Sequence, residues 1–395
     1  MSVPGPLDGL LVVDLTRALA GPHATMTMGD LGARVVKVEP PSGDDSRTWG
    51  PPFVGPPDDP VSTYFLSCNR NKESVTADLR SEDGQWLLTE LVRRADVLAE
   101  NYRPGVLERF GFGVDRLHEL NPGLIILSIS GFGHDGPESS RAGYDQIAQG
   151  EAGLMSITGE PGTPMRVGVP IADLLGGLTG LVGVLAALAE RQRTGRGTVV
   201  RTSLLASVVG IHAFQGTRWT VAGEVPEPVG THHPAIAPYG LFHAGATPMQ
   251  IAVGTAPQWR SFAPLVGLDP DDPRFVDNAQ RVAHRDELTA AIEAALGGDS
   301  VETWLARLAD AGIPAGRVRT LDEVYTWDQT ASQGLLLDVD HPTLGTVTLP
   351  GSPLRFEASD GGEHSVPTGA PPRIGEHNES VRAWLTERGA SGGPA

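Results

Sequence analysis

The chain has 395 residues, 40% of them hydrophobic, and a formal net charge of −18 from 48 acidic against 30 basic side chains. The length allows a large core in two domains, or one domain with a substantial insertion, and the negative field excludes nucleic acid and anionic membranes as expected partners. No run of about 18 consecutive apolar residues appears, and MSVPGPLDG has neither a basic leader nor an apolar signal region, so a cytoplasmic protein is expected.

The single cysteine, Cys68, cannot form an internal disulfide, which agrees with a reducing compartment, and without a base nearby in sequence it reads as a small packing residue. An anionic small molecule stays possible if basic residues or helix N-termini offset the field locally. Only Lys37 and Lys72 are lysines, a bias that arginine-rich coding explains as well as selection does.

In chain order, an apolar strand at Leu10 to Leu15, a helical segment at His23 to Leu31 and a second strand at Val35 to Val38 give a βαβ opening. Leu87, Leu88, Leu91, Val92 and Ala95 recur at helical spacing before a strand at Val97 to Ala99, and Leu124 to Ser130 reads as another strand ahead of a glycine-rich loop. This alternation predicts an open, mainly parallel sheet with ligands beyond the carboxyl ends of its strands.

A long helix, Leu174 to Glu190, contains Gly176, Gly177, Gly180 and Gly183, which cost helix propensity. Close approach of another backbone, a ligand or a partner subunit explains them. The segment Val225 to Tyr239 reads as a linker, and His232 and His233 in it lack the ligand set of a metal site, so no metal is expected. A second domain follows, with a strand at Gln250 to Val253, a helix at Asp286 to Leu296 and a helix capped by Asp299 with Glu302 three residues on. Strands and turns resume near Ser332, clustered prolines at 350 to 372 suggest an extended segment, and a helix around Ser380 to Glu387 precedes a tail, GASGGPA, that reads as disordered. The expected division is 1–224, a linker at 225–239, a small domain at 240–331 and a return segment at 332–395.

Seven strings in register carry a family resemblance: ALAGPHATMTMGDLGARVVKVEPPSGDDSR, NRNKESVTADL, ENYRPGVLERFG, NPGLIILSISGFGHDGP, GYDQIAQGEAGL, the IADLLGG segment and RTGRG. Together they resemble the class III CoA-transferase family, the CaiB/BaiF-like group that also contains the α-methylacyl-CoA racemases. The match is clearest over about the first 210 residues and looser beyond, in APYGLF and IGEHNESVRAWL. The resemblance implies an α/β fold: a Rossmann-like large domain, a smaller inserted α+β domain, a chain that returns to finish the large one, and an interlocked homodimer.

The same resemblance implies that Asp173 attacks the donor thioester to give a mixed anhydride, which the released thiolate converts to an aspartyl-CoA thioester. A carboxylate suits this role because its ordinary pKa near 3.9 leaves it ionised at neutral pH and an anhydride keeps the acyl group activated. In sequence alone, Asp173 at a helix start reads as an ordinary N-cap near charge-stabilising donors. Coenzyme A or acyl-CoA is the implied substrate, with no tightly bound cofactor, and its implied contacts are Ala18, Leu19, Lys37, Arg70, Lys72, Asn101, Tyr102 and Arg109. Arg70, Lys72 and Arg109 read equally well as ordinary surface residues.

Donors for the thioester oxygen are expected in the loop containing Gly131 and Gly133. That loop also spells GxGxxG, but no helix follows it, so a dinucleotide reading is set aside. Tyr144 stands where the racemase branch has a histidine base, which favours transfer over racemisation. Tyr144 is expected to shape the acyl pocket, Asp145 to hold a neighbouring group, and His233 to line the substrate entrance. A racemase of the same family, and a catalytically silent CoA-binding or scaffold protein, are the alternative readings.

Overall fold

The computed structural model describes residues 4–357, 366 and 368–389. It divides into two compact units, one of Met1–Leu154, Val167–Thr220 and Asp328–Ala395, the other of Met155–Arg166 and Val221–Trp327.

The first unit is built on six strands: β1 (Leu11–Asp14), β2 (Arg34–Glu39), β3 (Lys72–Thr76), β4 (Val97–Glu100), β5 (Ile125–Ser130) and β6 (Val199–Ser203). Their spatial order is β6-β5-β4-β1-β2-β3, and every adjacent pair is parallel. Viewed from the other edge this is 3-2-1-4-5-6, the Rossmann order, in which the strand direction of travel reverses beside β1 and a crevice opens between the loops after β1 and β4.

Side chains in β1 alternate between two cores. Val12 joins one with helix α1 (Ala20–Asp30), whereas Leu11 and Val13 join another with helix α2 (Glu82–Val92). The inner strands β1, β4 and β5 are buried on both faces, as a parallel sheet covered by helices requires. The chain returns to this unit after 327, and Val381 and Leu385 of helix α8 (Asn378–Gly389) enter the second core. Ser74 and Thr76 of β3 bond His377 and Asn378, which covers that edge of the sheet.

Three further helices bear on the site: α3 (Asp145–Glu151), α4 (Ile171–Thr194) and α5 (Leu204–Gly210). Helix α4 is 24 residues long and apolar enough by composition to cross a membrane. Its glycine face is instead laid against α1, β5 and β6. A Cβ on Gly177 would stand 2.5 Å from the Ala20 carbonyl oxygen, so the close α1–α4 approach requires glycine there, and the close-approach reading of this helix is met within one chain.

The second unit has its own core around Trp259, Phe262, Phe275 and Trp304. It contains the three-stranded sheet β7 (Tyr239–Ala244), β8 (Thr247–Ala252) and β9 (Ala315–Arg317), together with α6 (Arg285–Leu296) and α7 (Val301–Asp310). The boundaries expected at 224 and 331 move to 220 and 327. Residues 155–166, expected in the large domain, group with the second unit because this hairpin accepts the Gly230 N–H at the Gly159 carbonyl. The cap of α7 is Ser300, not Asp299: the Ser300 hydroxyl accepts the Thr303 N–H. The proline-rich stretch runs without helix or strand from 351 to 356, while its residues 358–365 and 367, like 390–395 of the tail, lie outside the described residues.

Candidate active site

Beyond the carboxyl ends of β1 and β4, a cleft of about 210 Å³ is lined by Arg17, Ala18, Leu19, Asn101, Tyr102, Arg103, Gly131, Arg141, Tyr144 and Asp173, among others. Seven separate stretches of sequence therefore meet at the crevice that the strand order opens.

The β1 side is rigidly specified. The Arg17 N–H donates to Asn101 Oδ1 and its carbonyl accepts from Asn101 Nδ2, both at 2.8 Å, which ties the loop after β1 to the loop after β4. Ala18 sits at φ 65°, in the left-handed region that costs an L-residue about 1–2 kcal/mol. The Arg17 guanidinium lies over the Tyr102 ring at 5.3 Å, and its buried Nε has no hydrogen-bond partner among the described residues.

Opposite stands Asp173 in the first turn of α4. The helix begins after Pro170, which offers no capping side chain, so Asp173 is its third residue and not its cap. The cap comes from α3: Asp145 Oδ1 accepts the Ala172 N–H at 2.8 Å and the Asp173 N–H at 3.4 Å. Gln149 Nε2 donates to the other Asp145 oxygen, and Gln149 Oε1 accepts the Val167 N–H. Asp145 thus holds the start of α4.

The same arrangement sets the charge of Asp173. Burial, and then the negative charge of Asp145, push its carboxyl up from 3.8 to about 7. Both influences work against the ionised form that an ordinary aspartate holds at neutral pH, and a carboxylate drawn out of water is less masked by solvent as a nucleophile.

Gly131 and Gly143 touch backbone to backbone. A Cβ on Gly131 would fall 2.6 Å from the Gly143 Cα, so this contact requires glycine and draws the Arg141–Tyr144 segment to the cleft. Tyr144 lines the cleft with its side chain largely exposed. Gly133 lies one step back, its N–H donating to Ser130 Oγ.

Four expected contacts do not reach this cleft with free charge. Lys37 is fully buried, with Nζ 2.9 Å from Asp44 and 2.8 Å from the Thr16 carbonyl. Lys72 is fully buried on Asp14, Asn69 and the Pro22 carbonyl, and Arg70 is buried on Asp30. Phosphate pairing by these three is corrected, because their charges are already spent on buried carboxylates. Arg109 is exposed at the end of a short helix, outside the lining. His233 belongs to the second unit, where its ring stacks on Tyr239 at 5.1 Å.

The cations that do line the cleft are Arg17, Arg103 and Arg141. Sequence reasoning missed them although each adjoins a residue it had named or quoted: Arg17 beside Ala18, Arg103 beside Tyr102, Arg141 three positions before Tyr144. A second cleft of about 250 Å³ shares Arg17 and Tyr102 with the first and continues past Pro40, Asp78 and Arg80.

A profile described as CoA-transferase family III matches residues 7–378. The chain belongs to CoA-transferase family III. It is 39% identical over 383 residues to the acetyl-CoA:oxalate CoA-transferase of Acetobacter aceti, covering 96% of this chain and 95% of that one. It is 38% identical to the succinyl-CoA:glutarate CoA-transferase of Mus musculus, covering 95% and 85%. Among solved structures, a CAIB/BAIF family protein from Brucella suis superimposes with a TM-score of 0.86 at 40% identity, over 97% of this chain and all of that one. Membership makes this a CoA-transferase whose substrates are CoA thioesters, and the mixed α/β architecture around a parallel central sheet is that of the family's solved members.

Proposed function

We propose that the protein moves coenzyme A from an acyl-CoA donor to a carboxylic acid acceptor through a thioester on Asp173. The observation that carries this is a desolvated aspartate, held by Asp145 and free of any cation among the described residues, on the wall of a cleft at the strand-order crevice. The Asp173 carboxylate adds to the donor carbonyl and expels CoA thiolate, giving a mixed anhydride. The thiolate adds to the aspartyl carbonyl, the donor acid leaves as carboxylate, and an aspartyl-CoA thioester remains. The acceptor carboxylate reverses both steps, so protons and charge balance over the cycle.

The thiol end of CoA would lie at Asp173 and the remainder would run past Arg17 and Tyr102 into the second cleft, where Arg17 and Arg80 supply positive charge for phosphates. Small dicarboxylic acids are the proposed acceptors, because relatives carry oxalate and glutarate in their names. An interlocked homodimer is proposed as well. Leu178, Val182 and Leu185 of α4 are exposed, as are Ile211, Phe214 and Trp219, and Leu178 lines an apolar cavity of about 810 Å³. Light scattering that gives a monomer would remove that part of the proposal.

The decisive experiment incubates the protein with succinyl-CoA or acetyl-CoA and looks by mass spectrometry for CoA, or a hydroxylamine-derived hydroxamate, on the peptide containing Asp173. An adduct on the native chain and none on Asp173→Ala supports the mechanism. Absence of adduct, with α-proton exchange in deuterated water, would turn the assignment to racemisation; absence of both would favour a silent binder.

A further inference from the structure

Two residues of the cleft wall, Arg17 and Ala18, and the buried Thr16 that precedes them have every backbone polar group bonded to a side chain. The Thr16 N–H donates to Asp14 Oδ1 at 2.9 Å and its carbonyl accepts from Lys37 Nζ at 2.8 Å. Asn101 takes both groups of Arg17. The Ala18 N–H donates to Asp44 Oδ1 at 3.2 Å, and its carbonyl accepts from the Cys68 thiol at 3.5 Å.

A loop needs nothing like this to satisfy its amides, since water would serve. Here the segment includes a non-glycine residue at φ 65°, a conformation that persists only where the surroundings overdetermine it. Lys37, Asp44 and Cys68 are all buried, touch neither Asp173 nor the cleft, and have no part in the transfer steps. Burial works against the Lys37 charge, but Asp14, Asp44 and Glu39 outweigh it and hold the ammonium protonated.

We infer that Lys37, Asp44 and Cys68 are positioning residues: a buried strap that fixes Ala18 in the left-handed conformation and so presets the Arg17–Leu19 wall for the CoA thioester. This rests on the CoA-transferase reading of the cleft. The strap acts through Ala18, whose strain supplies the test, because glycine adopts the same φ without being held there.

The experiment measures CoA binding by calorimetry, kcat/KM for transfer, and thermal unfolding. Lys37→Met with Asp44→Leu removes the ion pair as a pair, the change least disruptive to a buried pair. CoA affinity and kcat/KM are expected to fall at least about tenfold in the folded double variant. Adding Ala18→Gly to it is expected to restore about threefold or more of that loss. Unchanged CoA affinity in the folded double variant, or no recovery with Ala18→Gly, overturns the strap.

Should the double variant fail to fold, Cys68→Ala against Cys68→Ser asks the same question, since serine keeps a donor for the Ala18 carbonyl. Weaker binding in the alanine variant alone supports the strap, and equal behaviour overturns it. A native protein that binds no CoA sinks the transferase reading and the strap together, whereas native binding with indifferent variants sinks the strap alone.

Discussion

Asp14, at the carboxyl end of β1, and Asp173, in the first turn of α4, are two carboxylates drawn largely out of water in the same unit, and they arrive at opposite chemistry. Burial acts to raise both. At Asp14 it is outweighed by Lys72 and Lys37, with hydrogen bonds from Thr16 and Thr25, and the group is held far below the usual carboxylate range. At Asp173 no ion pair is made among the described residues and the charge that acts on it is the Asp145 carboxylate, so burial prevails. A buried charge surrounded by its partners is scaffold; the same group left without partners beside an opening is available for reaction.

The largest expected effect tests the reactive half of this contrast. Asp173→Ala should lose transfer activity by about 10⁴-fold or more, measured as kcat with the most active donor and acceptor pair, while still binding CoA. Residual activity within a hundredfold of native would show that the cleft works without the carboxylate. The scaffold half is tested by Lys72→Met, which strands Asp14 and should destabilise the fold by about 3–5 kcal/mol in urea unfolding.

Asp173→Asn has the opposite sign. Because the native carboxyl keeps its proton up to about 7 while the unfolded chain releases it near 3.8, folding stability falls as pH rises through that window. The uncharged variant should therefore exceed the native protein by about 1–3 kcal/mol at pH 8, with a smaller gap at pH 5. A gap independent of pH would contradict the burial argument. The smallest effect belongs to Asp145→Asn, which keeps an amide oxygen to accept the Ala172 N–H. The rising limb of the kcat/KM profile should move to lower pH without being abolished, since burial is the larger cause and persists.

Much of the fold could be read directly. The apolar runs at Leu10 to Leu15, Val35 to Val38, Val97 to Ala99 and Leu124 to Ser130 all lie in the parallel sheet, because strands buried on both faces are continuous in apolar residues. Asp173, Asn101, Tyr102, Ala18, Leu19, Gly131 and Tyr144 were placed together by motif, and the cleft gathers them.

The errors share one cause. Lys37, Arg70 and Lys72 read as phosphate contacts because charge in a sequence carries no sign of its partner: Asp30 is 40 positions from Arg70 and Asp14 is 58 from Lys72. Periodicity cannot display such pairings. The raised carboxyl of Asp173 is hidden in the sequence for the same reason, since burial and the approach of Asp145, 28 positions away, exist only after folding.

The burial of both lysines carries a chemical consequence of its own. Thioesters and acid anhydrides acylate free primary amines, and a protein that handles them is exposed to its own reactants. This one presents no lysine to them: its only two have fully buried ammonium groups locked against oxygen acceptors, and the cations lining the cleft are guanidinium groups, which resist acylation. Lysine modification by an amine-reactive ester would accordingly record the opening of the fold and not the wear of its working surface.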